Sequence, residues 1–499
     1  MDLTHVIIFL FALYLINLWW LRYSSAGSSQ CRMNIPPGPK GWPLVGNLLQ
    51  VIFQGRHFVL LTRDLRKKYG PIFTMQMGQR TMIIVTDEKL IHEALVQRGP
   101  TFASRPPDSP IRLIFSVGKC AINSAEYGSL WRTLRKNFVT ELVTPTRVKQ
   151  CSWIRTWAMA NHMERIQTES IEKGFIEVMS QCRQTICSIL ICLCFGAKIS
   201  EEKIKHIENV LKDVTLICSP TLPTFYREAT ELRKTQLECL MPLIRNRRAF
   251  VDAKGSPNEE MVSPIGAAYV DSLFGLKPVE RGGELREEEI VTLCSEIVLA
   301  GTDTSATTLE WALLHLVTDQ NIQETLYEEV VGVVGKNGTV EEDDVAKMPY
   351  LEAIVKETLR RRPPGHFLLS HAAVKDTELG GYAIPAGANV EFYTAWVTEN
   401  PEIWSDPGKF RPERFLAGGD GVNADWTGTR GVTMLPFGAG RRICPAWSLG
   451  VLHINLTLAR MIHSFKWIPV PDSPPDPTET FAFTVVMKNS LKARIQSRT

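Results

Sequence analysis

The sequence lacks a strong net charge, a nucleotide-binding fingerprint and any internal repeat. Its 56 Lys and Arg residues nearly balance 53 Asp and Glu residues, giving a formal net charge of +3, so nothing in the balance indicates a nucleic-acid partner. No flavin or nicotinamide fingerprint appears, so electrons for any redox reaction would have to come from outside the chain. The composition, 44% hydrophobic, is sufficient for a large buried core.

The longest apolar run lies near the N-terminus. Residues 3–21 are nearly all apolar or aromatic and end in Trp19 and Trp20, and roughly 20 such residues span a bilayer. A cleaved signal peptide is the alternative, but Asp2 stands where basic residues are usual, and no small-residue cleavage site directly follows. Arg22 and later basic residues predict, by the positive-inside rule, that the bulk of the protein faces the cytosol.

Three regions follow from this reading. Residues 1–23 are predicted to be an N-terminal transmembrane signal anchor, and residues 24–45, polar and then rich in proline, a stiff hinge. Residues 46–499 show no composition break and are predicted to form one catalytic domain. Because a cytosolic face is reducing, the 11 cysteines, which form no evident framework, are not expected to pair, and three are expected in the core: Cys187, Cys192 and Cys194.

Hydrophobic periodicity predicts a mainly α fold with small β-sheets. Helical patterns fill most of the domain, and the longest, over residues 285–315, opens with acidic residues that favour a helix N-terminus. The strand patterns are short, and the first two form a hairpin: Ile72–Met77, 81–85, 381–384 and 389–393.

The most informative motif is FGAGRRICPA at residues 437–446. Gly438 and Gly440 allow the backbone to approach a ligand closely, and the helical pattern that follows directs N–H groups at Cys444. Nearby arginines and such N–H groups keep a thiolate ionised. A buried structural cysteine is the ordinary alternative, and a phosphate loop would need a third glycine or a Lys-Ser/Thr pair. The pattern meets the needs of a haem-thiolate site, with Cys444 as the iron ligand and Arg442 near the haem propionates.

This loop resembles the cysteine signature of the cytochromes P450, with Ala446 standing where that family usually has glycine. The resemblance implies the cytochrome P450 fold with an N-terminal membrane anchor, and haem b bound through the Cys444 thiolate. It also implies that Phe437 and Gly438 contact the cofactor.

The middle of the long helix reads AGTDTS at residues 300–305, which is unusual for a buried helix. A threonine hydroxyl there can bond the carbonyl four residues earlier and bend the axis. Ala300 and Thr304 share a face, on which Ala300 is small enough to let a haem plane approach. The alternative is an exposed Asp-Thr pair, but the motif resembles the family's oxygen-activation groove. That resemblance implies that Thr304 and Asp303 are the catalytic residues and deliver protons.

Two further motifs resemble family contacts to the haem propionates. Trp131 and Arg135 lie at i and i+4 on one helix face and could both reach a propionate. His371 occupies a place where the family often has arginine, although a lone histidine is more often an ordinary hydrogen-bonded residue.

A structural element is predicted from two separated segments. Glu357 and Arg360, at i and i+3, would mean little alone. The segment 410–415, FRPERF, resembles a family element, and with it Glu357, Arg360 and Arg414 are predicted to form a buried charge triad that holds the Cys444 loop.

The resemblance also implies partners and a location. The family receives electrons from NADPH–cytochrome P450 reductase, so NADPH would be used indirectly, with cytochrome b5 as a further candidate partner, at the endoplasmic reticulum membrane. Arg441 and Lys136 suit the docking of an acidic partner, although Arg441 is equally consistent with an ordinary surface residue.

Finer similarity indicates a lipophilic substrate. Residues 102–107, 153–159 and 380–382 are similar to plant microsomal P450s, and residues 362–392 most resemble the branch that hydroxylates or epoxidises fatty acids for cutin. Open alternatives are another plant specialised metabolite (a terpenoid or phenylpropanoid), a non-oxygenating isomerase and a non-enzymatic haem sensor. The last two would not need Asp303 and Thr304. An acyl tunnel has these candidate lining residues, each equally explained by core packing: Ile111, Leu113, Ile114, Phe115, Ile297, Phe367 and Leu368.

Overall fold

The computed structural model describes residues 10–11, 13–15, 34–53, 58–218, 226–481 and 484–498. Within them the architecture is mainly helical, as predicted. The α-helices are, in chain order, α1 Leu48–Phe53, α2 Phe58–Tyr69, α3 Glu88–His92, α4 Pro110–Ser116, α5 Ser129–Phe138, α6 Pro145–Gln150, α7 Ser152–Lys173, α8 Val178–Phe195, α9 Glu201–Ile217, α10 Tyr226–Asp252, α11 Glu287–Thr318, α12 Gln320–Val334, α13 Glu342–Val345, α14 Pro349–Arg361, α15 Ala395–Glu399 and α16 Trp447–Ser464.

Short helices of other types connect these elements. Among the described residues, two are π-helical, Glu93–Gln97 and Val139–Val143, and four are 3₁₀-helical, Tyr269–Leu273, Val279–Arg281, Pro412–Phe415 and Gly440–Arg442. The strands are β1 Ile72–Met77, β2 Arg80–Val85, β3 Ile176–Glu177, β4 His371–Ala372, β5 Thr377–Leu379, β6 Tyr382–Ile384, β7 Asn389–Phe392, β8 Phe465–Pro469, β9 Glu479–Phe481, β10 Val485–Met487 and β11 Lys492–Ser497.

The strands form four small sheets. The largest has the order β1-β2-β7-β4; another has the order β3-β11-β8, and β9–β10 and β5–β6 are two-stranded. The predicted hairpin is confirmed, since β1 and β2 pair antiparallel from Ile72 opposite Val85 to Met77 opposite Arg80. β2 also pairs in parallel with β7, which brings together segments some 300 residues apart in the chain.

Helix α11 is the centre of the molecule. Its 32 residues span about 48 Å, and it packs against α8, α10, α14 and α16. It begins at Glu287 because the carboxylate of Glu289 accepts the N–H of Arg286, which the helix itself leaves without a partner. The prediction of this helix is confirmed, with its ends moved by two or three residues.

Helix α8 is largely apolar, above all from Ile186 to Phe195. It is the helix among the described residues whose length and composition could cross a membrane, and 72% of it is buried inside the protein. Its neighbours α7 and α11 cover it, and Cys187, Cys192 and Cys194 are buried there as predicted. It is therefore a core helix of the domain.

The predicted anchor lies mostly outside the described residues. Its described residues, 10–11 and 13–15, are helical and carry exposed apolar side chains such as Phe11 and Tyr14. The first part of the hinge, residues 24–33, also lies outside the described residues, so the division into anchor, hinge and domain remains a prediction.

Candidate active site

The middle of α11 has a local geometry that its sequence explains. The Thr304 hydroxyl donates to the Ala300 carbonyl at 2.8 Å, the i−4 bond expected of a threonine in a helix. Gly301 lies against α8, where a Cβ would come within 2.7 Å of a methyl carbon of Leu190. Ala300 is exposed although most of the helix is buried. The glycine therefore allows close packing on one side, while the face with Ala300 and Thr304 stays accessible.

Asp303 lies on a different side of the helix from Thr304, since adjacent helical residues point about 100° apart. Its buried carboxylate pairs with Arg183 of α8. Arg183 also binds Glu208 of α9 at 2.6 Å, and the two acids raise the pKa of its guanidinium. The proton-donating role of Asp303 remains a prediction, and Arg183 is a neighbour that sequence reasoning did not identify.

The Cys444 loop is held by its own backbone. The N–H of Cys444 donates to the Phe437 carbonyl at 2.8 Å, and Gly440 has a φ of +68°. A Cβ at Gly440 would lie 1.7 Å from the Leu95 carbonyl oxygen, so this position requires glycine. Directly after the loop, Trp447 begins α16.

The sulfur of Cys444 lies where burial and positive groups oppose each other. Burial raises the pKa of the Cys444 thiol, while the N–H of Ala446 and the charge of Arg135 lower it. An iron cation bound to the sulfur would add the missing positive charge, because a coordinating thiol loses its proton.

A cluster of arginines surrounds the loop. Arg135 of α5 donates to the Ile443 carbonyl at 2.6 Å, and the guanidinium of Arg442 lies 4.6 Å from the Trp131 ring centre. Arg105 belongs to the same cluster. It was not predicted as a site residue from the sequence, where its place in the stretch 102–107 was the one available signal. Burial, and after it the neighbouring cations, lower the pKa of Arg442 to about 9. Burial, and after it the charge of Arg112, lower the pKa of Arg105 to about 10.

Polar atoms beside this cluster lack partners. Among the described residues, no hydrogen bond of good geometry reaches the buried indole nitrogen of Trp131 or either ring nitrogen of His371. Burial, then Arg105 and Arg442, hold the pKa of His371 well below its usual value. Cations and unpartnered donors in one place fit a group with carboxylates, as the haem propionates are. The residues present therefore fit a haem.

A buried ion cluster joins α14 to the segment Pro412–Phe415. Arg360 binds both carboxylate oxygens of Glu357, at 2.6 and 2.8 Å, and Arg414 binds Glu357 at 3.0 Å. All three side chains are inaccessible to solvent. Arg414 also binds Asp420. The three residues predicted to form a triad are thus in contact, with Asp420 as a fourth member that the sequence did not indicate.

The comparisons with known proteins agree with this geometry. The family model described as Cytochrome P450 matches residues 36–495. The chain belongs to the cytochrome P450 family. It is a cytochrome P450 monooxygenase of plant type, and the family binds haem b through a cysteine thiolate.

Curated plant P450s match along almost the full chain. "Cytochrome P450 89A9" of Arabidopsis thaliana is 36% identical over 495 residues, covering 93% of this chain and 94% of that protein. "Cheilanthifoline synthase" of Argemone mexicana is 32% identical and covers 96% of each. Among solved structures, a zebra fish cytochrome P450 with progesterone has a TM-score of 0.75 at 22% identity, covering 89% of this chain and all of that one, which supports the fold.

The tunnel candidates have different surroundings in this P450. Ile111 and Phe115 are buried together with Val214 and Ala229, whereas Leu113 is exposed. Phe367 packs between Phe58 and Tyr393. The remaining three are Ile297, which is buried on α11, and Ile114 and Leu368, which are partly buried.

Proposed function

We propose that Cys444 is the axial haem ligand of a membrane-anchored monooxygenase whose substrate is a fatty acid, hydroxylated in-chain or epoxidised. One observation supports the assignment of a haem site: the Cys444 loop lies beside three arginines and the unpartnered nitrogens of Trp131 and His371. Haem supplies the activation of molecular oxygen when it is bound.

The chain's own residues hold and serve this group. Arg442, Arg135, Trp131 and His371 would bind the two propionates, and Phe437 and Gly438 would contact the haem beside Cys444. Leu368 lies beside this loop, since a Cβ at Gly438 would be 3.7 Å from its methyl carbon.

On the other side, Thr304 holds a hydroxyl on the face of Ala300 and passes protons into the site, and Asp303 is their predicted source. Asp303 forms an ion pair with Arg183. A proton carried by the Asp303 carboxylate therefore has to leave that ion pair before it reaches Thr304.

The fatty-acid proposal rests on the similarity of residues 362–392 and on apolar surfaces near α11. Ile111 and Phe115 form an apolar cluster with Val214 and Ala229, and the partly buried Leu299 of α11 packs against it. An acyl chain would bind such a surface through apolar burial.

A different substrate class has support of its own. The similar plant proteins include two named as cheilanthifoline synthases and two as pluviatolide synthases, and none of the names given refers to a fatty acid. A plant specialised metabolite is therefore the second candidate.

Lauric and oleic acids are expected to shift the haem of the purified protein from low to high spin, because an acyl chain beside Ala300 would displace water from the iron. The measurement is an optical titration with each acid, with terpenoids and phenylpropanoids as the comparison set. Shifts with the comparison set and none with either acid would exclude the fatty-acid proposal and leave the monooxygenase in place.

We also propose that the reductase and, secondarily, cytochrome b5 dock on the face that carries Arg441 and Lys136 at the endoplasmic reticulum membrane. Both side chains are exposed: Arg441 lies within the Cys444 loop, and Lys136 lies on α5 next to Arg135, which binds the Ile443 carbonyl. Positive charges there favour an acidic partner.

A further inference from the structure

Helix α11 carries a second acid that the proposed mechanism does not use. Glu296 lies one turn before Ala300, and its carboxylate accepts the backbone N–H groups of Ile122 at 2.9 Å and Asn123 at 2.6 Å. Burial raises the pKa of Glu296 to about 7, although those N–H groups and the charges of Arg105 and Arg442 oppose the rise. The carboxylate thus joins α11 to a segment more than 170 residues away in the chain.

The same segment is held from its other side by arginines. Arg442 donates to the carbonyls of Ile122 at 3.2 Å and Ala125 at 2.6 Å, and Arg105 donates to that of Asn123 at 2.7 Å. In this segment the N–H groups of Ile122 and Asn123 are therefore bound by α11, and the carbonyls of Ile122, Asn123 and Ala125 by two arginines. One of these arginines lies two residues before Cys444.

The position of Glu296 on its helix relates it to the active site. Thr292, Glu296, Ala300 and Thr304 follow one another at four-residue spacing, so each lies next to the following one along the same side of α11. The Thr292 hydroxyl donates to the Phe115 carbonyl at 3.0 Å. The segment from Phe115 to Asn123 therefore lies against α11 at Thr292 and Glu296, the positions that precede Ala300 on the helix.

We propose that Glu296 is a positioning residue that fixes the backbone of residues 122–125 against α11, and that it thereby determines which substrates fit against the Ala300 face. The proposal rests on the function proposed above. Loss of one hydrogen bond to the carboxylate would weaken the hold of α11 on the segment while the arginine contacts remain, and the space next to Ala300 would then discriminate less well by size.

The chain offers a matched control. Glu310, farther along α11, is buried and accepts from the Ser490 hydroxyl at 2.6 Å and the Leu491 N–H at 2.9 Å. It too binds a distant segment of the chain, although both contacts go to one of its oxygens, and it lies more than a turn beyond Thr304. E310Q therefore tests what the loss of a carboxylate on α11 does to the structure in general. E296Q tests, in addition, whether the carboxylate has to lie beside residues 122–125.

The first measurement is hydrogen exchange in haem-loaded protein. Gln at position 296 replaces one acceptor oxygen by an NH₂ group, so exchange in the peptide that contains residues 122–125 should become about tenfold faster in E296Q. The same peptide in E310Q should exchange as in the unaltered protein. Unchanged exchange in E296Q, or equal acceleration in both variants, would overturn the proposal.

The second measurement compares imidazole with 4-phenylimidazole as iron ligands, which requires no knowledge of the substrate. The ratio of their dissociation constants should change about tenfold in E296Q, because the larger ligand senses the position of the segment. A ratio within about twofold of the unaltered protein would contradict the proposal. If E296Q binds no haem, E296D, which keeps the charge with a shorter reach, provides both measurements. Failure of the haem assignment itself would appear separately, as a missing thiolate spectrum in the unaltered protein.

Discussion

Glu357→Ala is expected to yield protein that binds little haem and unfolds far more easily than the unaltered chain. Glu357 neutralises Arg360 and contributes to neutralising Arg414, and all three side chains are fully buried. Removing one member of a buried pair leaves an uncompensated charge and destabilises by about 3–5 kcal/mol. Arg414 would retain Asp420, whereas Arg360 would keep no carboxylate, only backbone carbonyls such as that of Thr398 and the Trp404 ring. Haem content per chain and the thermal unfolding midpoint are the measurements.

Glu352→Ala is the matched control, on the same helix. Glu352 binds Lys356 at 2.9 Å on the surface, with 46% of its side chain exposed. Loss of such a pair changes stability by about 1 kcal/mol or less. Haem content and a midpoint in Glu357→Ala equal to those of the control would show that the buried cluster does not hold the Cys444 loop.

Thr304→Ala is expected to uncouple the reaction. Its hydroxyl is the proposed proton-carrying group on the Ala300 face, and loss of a positioned acid–base group typically lowers a rate about 10²–10⁴-fold. We expect the ratio of product formed to NADPH consumed to fall at least about tenfold, with hydrogen peroxide as the main product. The ratio is measured with the compound that gives the spin shift, in the presence of the reductase.

Thr308→Ala serves as its control. Thr308 makes the same i−4 bond, to the Thr304 carbonyl at 2.8 Å, but its side chain is buried. An equal ratio of product formed to NADPH consumed in Thr304→Ala and the unaltered protein would show that Thr304 does not deliver protons. Equal losses in both variants would indicate a helix defect instead.

Local features of the sequence predicted the elements well. The alternation in Ile72–Met77 and the turn at Gly78 were enough for the hairpin, since both strands adjoin in sequence. The predicted end of α11, at His315, is three residues early, although Leu316 and Val317 continue its apolar pattern and are buried. The structure extends the helix to the residue before Asp319, whose carboxylate accepts the N–H groups of Asn321 and Ile322 and starts α12.

Long-range partners were the part that sequence reasoning missed. The acids Asp303 and Glu296 find Arg183 and the Ile122–Asn123 backbone more than 100 residues away, and no spacing rule predicts such pairs. Arg105 was missed because its contacts are backbone carbonyls rather than another motif. The residues of the Cys444 loop could be identified because they are contiguous, so ten consecutive residues contain the whole motif.

The most direct test of the haem-thiolate site is the reduced, CO-bound difference spectrum of the full chain and of Cys444→Ser. With a thiolate ligand at Cys444, the unaltered protein should show a Soret band at about 450 nm, and the haem-loaded variant should lack it. A band at that position in haem-loaded Cys444→Ser, or its absence in well-folded, haem-loaded unaltered protein, would contradict Cys444 as the axial ligand.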